Sequence, residues 1–145
     1  MTDIPIQRLH PDARVPRRAH ADDAGFDLHA TEAATLPPGA RVAVGCGFAI
    51  ALPEGTAGLV LPRSGLALHE GIGVLNAPGL IDAGYRGEVR VLLVNHDPAE
   101  TRTIAVGDRI AQLVVVALPA TGFTEVDELP PSARGDGGFG STGRD

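Results

Sequence analysis

Nowhere does this 145-residue chain repeat apolar residues at helical spacing for three turns. It offers instead short runs of Val, Leu, Ile and Ala about every ten residues, divided by turn signals such as PPG, PEG, NHDP and VGD. Such punctuation predicts an all-β domain of short antiparallel strands, a sandwich or jelly roll. The runs are IPIQRL, GFDLHA, ARVAVGCGFAIALP, GTAGLVLP, EVRVLLVN, DRIAQLVVVAL and FTEVDEL. In ARVAVGCGFAIALP, residues 40–53, Val42, Val44, Cys46, Phe48, Ile50 and Leu52 alternate with Arg41 and small residues, the pattern of one strand. The short helical candidate is SGLALHEG, 64–71, with Ser64 as its N-cap. Only Phe26, Phe48, Tyr85, Phe123 and Phe139 are aromatic, so the core must be aliphatic. Tyr85 and Phe139 lie in glycine-bearing polar segments, where packing alone does not call for an aromatic ring.

One domain accommodates this length without disulfides or metal. Residues 1–129 form the expected β domain. From Pro130 and Pro131 onward strand pairing stops, and 130–145 reads as a flexible glycine-rich arm, with five glycines in RGDGGFGSTG, 134–143. Extended from Leu118 to Arg134, such an arm spans up to roughly 50 Å, far enough to reach a neighbouring subunit. The formal net charge of −6 argues against broad binding to nucleic acid or to an anionic membrane, so any phosphate chemistry must be local. All 12 basic residues are arginine, which excludes devices built on lysine. Cys46 reads as a small buried hydrophobe in a reducing compartment. The first twenty residues carry no apolar signal region and no run approaches a membrane span, so a cytoplasmic location is expected.

Two stretches stand out chemically. In PRSGLA, 62–67, Arg63, Ser64 and Gly65 open the expected helix, where backbone N–H groups, a hydroxyl and a guanidinium either receive an anion or merely cap the helix. In NAPGLIDAGYRGEVRV, 76–91, Asp82 lies in a loop or hairpin crowded with Gly79, Gly84 and Gly87, either as a turn former or beside a ligand that approaches the backbone closely. His10, His20, His29, His69 and His96 are scattered without metal-ligand spacing.

Five segments, in order, resemble the homotrimeric deoxyuridine triphosphatase family: DAGFDLHA at 23–30, PRSGLA at 62–67, NAPGLIDAGYRGE at 76–88, GDRIAQLV at 107–114 and RGDGGFGSTG at 134–143. The resemblance implies a β jelly-roll homotrimer with a site at each subunit interface, closed by the carboxy-terminal arm of another chain. It implies that Asp82 activates the water attacking the α-phosphorus of dUTP. Asn76 and the hairpin backbone through Leu80 and Ile81 toward Arg90 would read the uracil edge, and Tyr85 would lie against the deoxyribose. Arg63, Ser64, Gly65 and Gln112 would hold the phosphates. Asp27 would bind waters of a Mg²⁺ ion held by them, an arrangement suited to a metal that keeps its water shell. From the arm, Arg134 would bind the γ-phosphate, Phe139 would stack on uracil, Ser141 and Thr142 would donate to phosphate oxygens, and Gly137, Gly138 and Gly140 would let the arm close over the nucleotide. Arg86 and Glu88 fall in the same motif with structural pairing as their alternative role. Ala77 and Leu80 depart from the family's usual polar residues, which affects fine contacts rather than the reaction.

Two other functions fit parts of this pattern. The related trimeric dCTP deaminases share the implied fold, but Tyr85 and the full arm favour the pyrophosphatase. A nucleotide sensor without turnover has no use for a water-activating carboxylate, and Asp27, Asp82 and Arg134 are all present.

Overall fold

The computed structural model describes residues 3–138. The expected punctuation is realised as short strands: β1 (Ile6–Arg8), β2 (Phe26–His29), β3 (Ala34–Leu36), β4 (Arg41–Gly45), β5 (Phe48–Ile50), β6 (Thr56–Leu61), then helix α1 (Ser64–Glu70), β7 (Ile72–Val74), β8 (Gly79–Asp82), β9 (Arg90–Asn95), β10 (Arg102–Ile104) and β11 (Arg109–Ala117). Every pairing is antiparallel. Strands distant in sequence become neighbours, in the orders β2-β11-β6-β8 and β4-β9-β7, with β1-β5 and β10-β3 as two-stranded flanks. This is an all-β jelly roll with one short helix. Its core is aliphatic as expected: Leu28, Leu36, Val44, Ile72, Val91, Leu93 and Ile110 are buried, and Phe48 is the one aromatic among them. The hydrophobic effect, at about 25 cal/mol per Å² of apolar surface removed from water, drives their assembly.

The single strand expected over 40–53 is two. The chain pairs with β9 as far as Gly45, then with β1 from Phe48, so it changes sheets at Cys46–Gly47. Gly47 adopts φ +70 there, and a Cβ on it would lie 2.8 Å from both His10 Cβ and Thr31 Cγ2. Strands that turn a corner between sheets do so through such bends. Both faces of 44–50 are buried, so apolar alternation could not reveal the break. Cys46 is fully buried beside it, and burial first, with the Glu88 charge second, pushes its thiol pKa up from 9.0 to about 12.

Two further expectations change. Arg63, with extended dihedrals, is the N-cap of α1, and Ser64 is its first helical residue; no side chain caps the helix. The Arg63 guanidinium donates to the Arg109 carbonyl at 2.7 Å, which ties this residue to β11 and postpones the helical turn. FTEVDEL pairs with no strand among the described residues, and Phe123, Val126 and Leu129 are exposed. Strand propensity marks a segment that fits a pleated surface without supplying the neighbour. Strands β3, β7, β8 and β10, three or four residues each, fall outside the apolar runs of the sequence.

The β9–β10 connection is fixed by polar side chains. Buried Asn95 donates Nδ2 to the carbonyls of Leu36 and Glu100 at 2.9 and 2.8 Å, and its Oδ1 accepts the Asp97 N–H. Asp97 in turn accepts from the N–H groups of Ala99 and Glu100 and from Arg102, which together hold its pKa down at about 2. A depressed carboxylate contributes stability that is present above its unfolded pKa of roughly 3.9 and lost as pH falls through its folded value. Asp97→Asn keeps an acceptor but no charge. Its thermal midpoint should lie below that of the parent near neutrality, and the gap should close between about pH 4 and pH 2; a gap independent of pH would rule out a contribution from the ionised form.

Candidate functional site

The register of β11 sets Gln112 opposite Asp27 of β2 on one side and Leu61 of β6 on the other. Beyond Leu61 the chain passes Pro62 and reaches Arg63, Ser64 and Gly65 at the head of α1, so residues far apart in sequence meet at one end of the sheet. Gln112 donates Nε2 to the Pro62 carbonyl at 3.0 Å. Its side chain fits because residue 25 is glycine; a Cβ there would stand 2.5 Å from Gln112 Oε1. Arg109 places Nη1 3.2 Å from Asp27 Oδ2. That pair joins residues far apart in the chain and could not be read without the β2–β11 register.

Arginines gather at this end despite the acidic chain. Burial, then Arg14, and further Arg109 and Arg63 keep His29 below its ordinary pKa, with Asp27 pulling the other way. A cleft of about 460 Å³ opens alongside, lined by Arg14, His29, Arg63, Thr103 and Arg109 together with the carboxylate residues Glu70 and Asp108. Its three guanidinium groups outnumber the two carboxylates and, with the Thr103 hydroxyl, can hold a polyanion.

The second group lies on the neighbouring strand. β8 pairs with β6 through Val60↔Gly79, Leu59↔Leu80 and Ala57↔Asp82. Along β8 Ile81 turns into the core while Leu80 and Asp82 face out, and Asn76 is exposed in the preceding turn. Asp82 therefore stands beside Ala57, at the opposite end of β6 from Arg63. The four steps from Ala57 to Leu61 alone span about 13 Å at roughly 3.3 Å per residue. Within one chain, Asp82 and Tyr85 do not converge on Asp27, Arg63 and Gln112.

The loop after β8 is held from several sides. Tyr85 N–H donates to the Asp82 carbonyl at 3.0 Å, closing a turn, and the Tyr85 hydroxyl donates to the Glu88 carbonyl at 3.0 Å. Arg86 donates to the carbonyls of Ala83 and Tyr85. The Glu88 carboxylate accepts the Gly47 N–H and pairs with Arg90 at 2.9 Å, and Arg90 also reaches Glu32 at 2.7 Å and the Ala43 carbonyl at 2.7 Å. Partial burial alone would lower the Arg90 pKa, but its bonds to Glu88 and Glu32 outweigh that and raise it. The Arg90 guanidinium and Glu88 are thus committed to joining the loop to the β4–β5 corner. In the amino-acid pattern the structural pairing of Glu88 is only one of two roles, and Glu32 carries no signal at all.

No regular structure follows β11 among the described residues. Arg134 is exposed and donates Nε to the Gly137 carbonyl at 2.8 Å. Phe139, Gly140, Ser141 and Thr142 lie outside the described residues. Also among these, no three His, Cys, Asp or Glu side chains converge to hold a metal ion, and no helix is long and apolar enough to cross a membrane.

The dUTPase family model matches residues 11–143. Deoxyuridine 5'-triphosphate nucleotidohydrolase of Corynebacterium glutamicum is 56% identical over 147 residues, covering 99% of either chain. The protein of that name from Nocardia farcinica is 53% identical, over 99% of this chain and 87% of its own. Among solved structures, a Staphylococcus bacteriophage 80alpha dUTPase variant with dUpNHpp superposes with a TM-score of 0.92 at 29% identity, over 99% of this chain and 100% of the phage protein. A dUTPase variant from phage phi11, described with a coordinated structural Mg(II) ion, gives a TM-score of 0.83 at 27% identity over 90% of this chain and 100% of its own.

Proposed function

This chain belongs to the dUTPase family, and from that premise we propose that it hydrolyses dUTP to dUMP and pyrophosphate, limiting uracil incorporation into DNA and supplying dUMP for dTMP synthesis. The observation that carries the reading is the end-to-end identity with the C. glutamicum nucleotidohydrolase. The separation of Asp82 from Arg63 along β6 supports a homotrimer in which each site draws the two groups from different subunits. Residues 130–145 are the arm that closes a neighbour's site, with Arg134 on the γ-phosphate, Phe139 on the uracil, and Gly140, Ser141 and Thr142 around the phosphates.

Arg63, Ser64, Gly65 and Gln112 grip the phosphate chain, and Asp82, an exposed carboxylate, accepts a proton from the attacking water. The water oxygen bonds to the α-phosphorus, and the bond to the α,β-bridging oxygen breaks. Pyrophosphate then leaves with that electron pair. Asn76 and the backbone at Leu80 and Ile81 toward Arg90 read the uracil edge, while the Arg90 side chain anchors the loop. Asp27, a carboxylate beside the phosphate-gripping residues that accepts from Arg109 through Oδ2, fits a Mg²⁺ ion carried in with the substrate, whose waters it would meet. When bound, such an ion would neutralise charge on the triphosphate and hold it for in-line attack. A cytoplasmic setting accords with a free buried Cys46, and the acidic chain with the absence of nucleic-acid or membrane partners.

The protein incubated separately with dUTP, dCTP and UTP plus Mg²⁺ should release pyrophosphate from dUTP alone. Ammonia from dCTP would instead identify a deaminase, and dUTP bound without turnover a sensor. Tyr85→Ala should lower the dUTP-over-UTP preference in kcat/KM by about tenfold or more, since a ring packed on the sugar leaves no room for a 2′-hydroxyl. Its dUTP-over-dCTP preference should change less, because the hairpin reads the base.

A further inference from the structure

Gly87 has no role in the chemistry, yet its lack of a side chain is what admits the Tyr85 ring. A Cβ built on Gly87 would lie 2.6 Å from Tyr85 Cζ and 3.0 Å from Cε2, and would overlap the phenolic oxygen. Gly87 is absent from the glycines with positive φ, so the backbone itself accepts an alanine. Only the ring forbids one. The ring is held from the other side by its hydroxyl, which donates to the Glu88 carbonyl, and Glu88 is fixed in turn by Gly47 and Arg90. Tyr85 therefore rests in a cradle whose floor is Gly87 and whose far wall is the backbone of Glu88.

We propose that Gly87 is a specificity-determining positioning residue: by leaving room for the Tyr85 ring over the loop, it sets where that ring stands against the sugar and so how strongly a 2′-hydroxyl is refused. The proposal rests on Tyr85 being the sugar-facing residue of the dUTP site. A methyl at residue 87 must push the ring out, because contacts this short cannot be absorbed by side-chain motion that keeps the hydroxyl on Glu88.

The test is Gly87→Ala, alone and combined with Tyr85→Ala. The chain has one tyrosine and no tryptophan, so its near-ultraviolet circular dichroism in the tyrosine band and the quenching of its fluorescence report Tyr85 without any nucleotide. Gly87→Ala should keep the parent's far-ultraviolet spectrum, change the tyrosine band and increase quenching. Its dUTP/UTP ratio in kcat/KM should fall by about tenfold, as overpacking at such a contact implies, while the dUTP/dCTP ratio stays within about twofold. In the Tyr85→Ala background the same substitution should change neither ratio further. An unaltered tyrosine signal overturns the proposal, as does a full additional loss of selectivity in the double variant. A displaced ring with an unchanged dUTP/UTP ratio also overturns it. A parent protein that does not hydrolyse dUTP removes the underlying functional reading instead, and the spectroscopic result still stands by itself.

Discussion

Asp82→Asn should leave a protein that folds and binds dUTP as the parent does, but whose kcat is about a thousandfold lower, the middle of the range for losing a general base. Asp82 ends β8 on the outward face, and among the described residues its side chain takes part in no hydrogen bond or ion pair. Exchange for the amide thus removes no structural contact. Shape and polarity persist, so substrate is still received, but an amide oxygen has little affinity for a proton. The effect should fall on kcat with KM nearly constant, the mark of an interaction made in the transition state. Near-normal kcat would falsify the role assigned to Asp82; a lost thermal transition would assign it to the fold.

Mixing two inactive variants should restore activity. Asp82→Asn and Arg63→Ala each damage one end of β6, and those ends cannot meet within one chain. If each site takes Asp82 from one subunit and Arg63 from another, random reassembly of the two variants in equal amounts gives one site in about four with both groups intact. Co-refolded mixtures should then recover roughly a quarter of parental activity, although either variant alone has lost about two to three orders of magnitude. Simple mixing without exchange of subunits should recover none. If co-refolded chains, shown to be mixed by mass, remain inactive, both groups serve one site through a single chain and the shared-site arrangement is wrong.

Much of this architecture is legible in the order of the amino acids. Glycine and proline punctuation gives the short strands and aliphatic runs give the core. The motif match picks out Asp27, Arg63, Ser64 and Gln112, which do gather at one end of the sheet. What escapes is whatever depends on register or on shared space. The break at Gly47 is invisible because both faces of 44–50 are buried and periodicity carries no signal there. The Arg109–Asp27 pair exists only because β11 lies beside β2. Nothing in the sequence shows that the space left by Gly25 and Gly87 is filled by Gln112 and Tyr85. The division of the site along β6 also follows from strand order, which the apolar pattern does not encode.

The change of sheets at Cys46–Gly47 makes the sole thiol a clock for native-state opening. Thiolate, not thiol, is the form that reacts with an alkylating reagent, and a pKa raised from 9.0 to about 12 leaves about a thousandfold fewer thiolates at mildly alkaline pH. The sulfur is also sealed from solvent on every side. Alkylation of the folded chain must therefore wait for the corner that joins β4 to β5 to open. With reagent in excess, the labelling rate becomes the rate of that opening, and with scarce reagent it becomes proportional to the equilibrium constant for it. A mass spectrometer following one added label per chain would thus read the stability of the corner between the two sheets under conditions in which nearly every molecule is native.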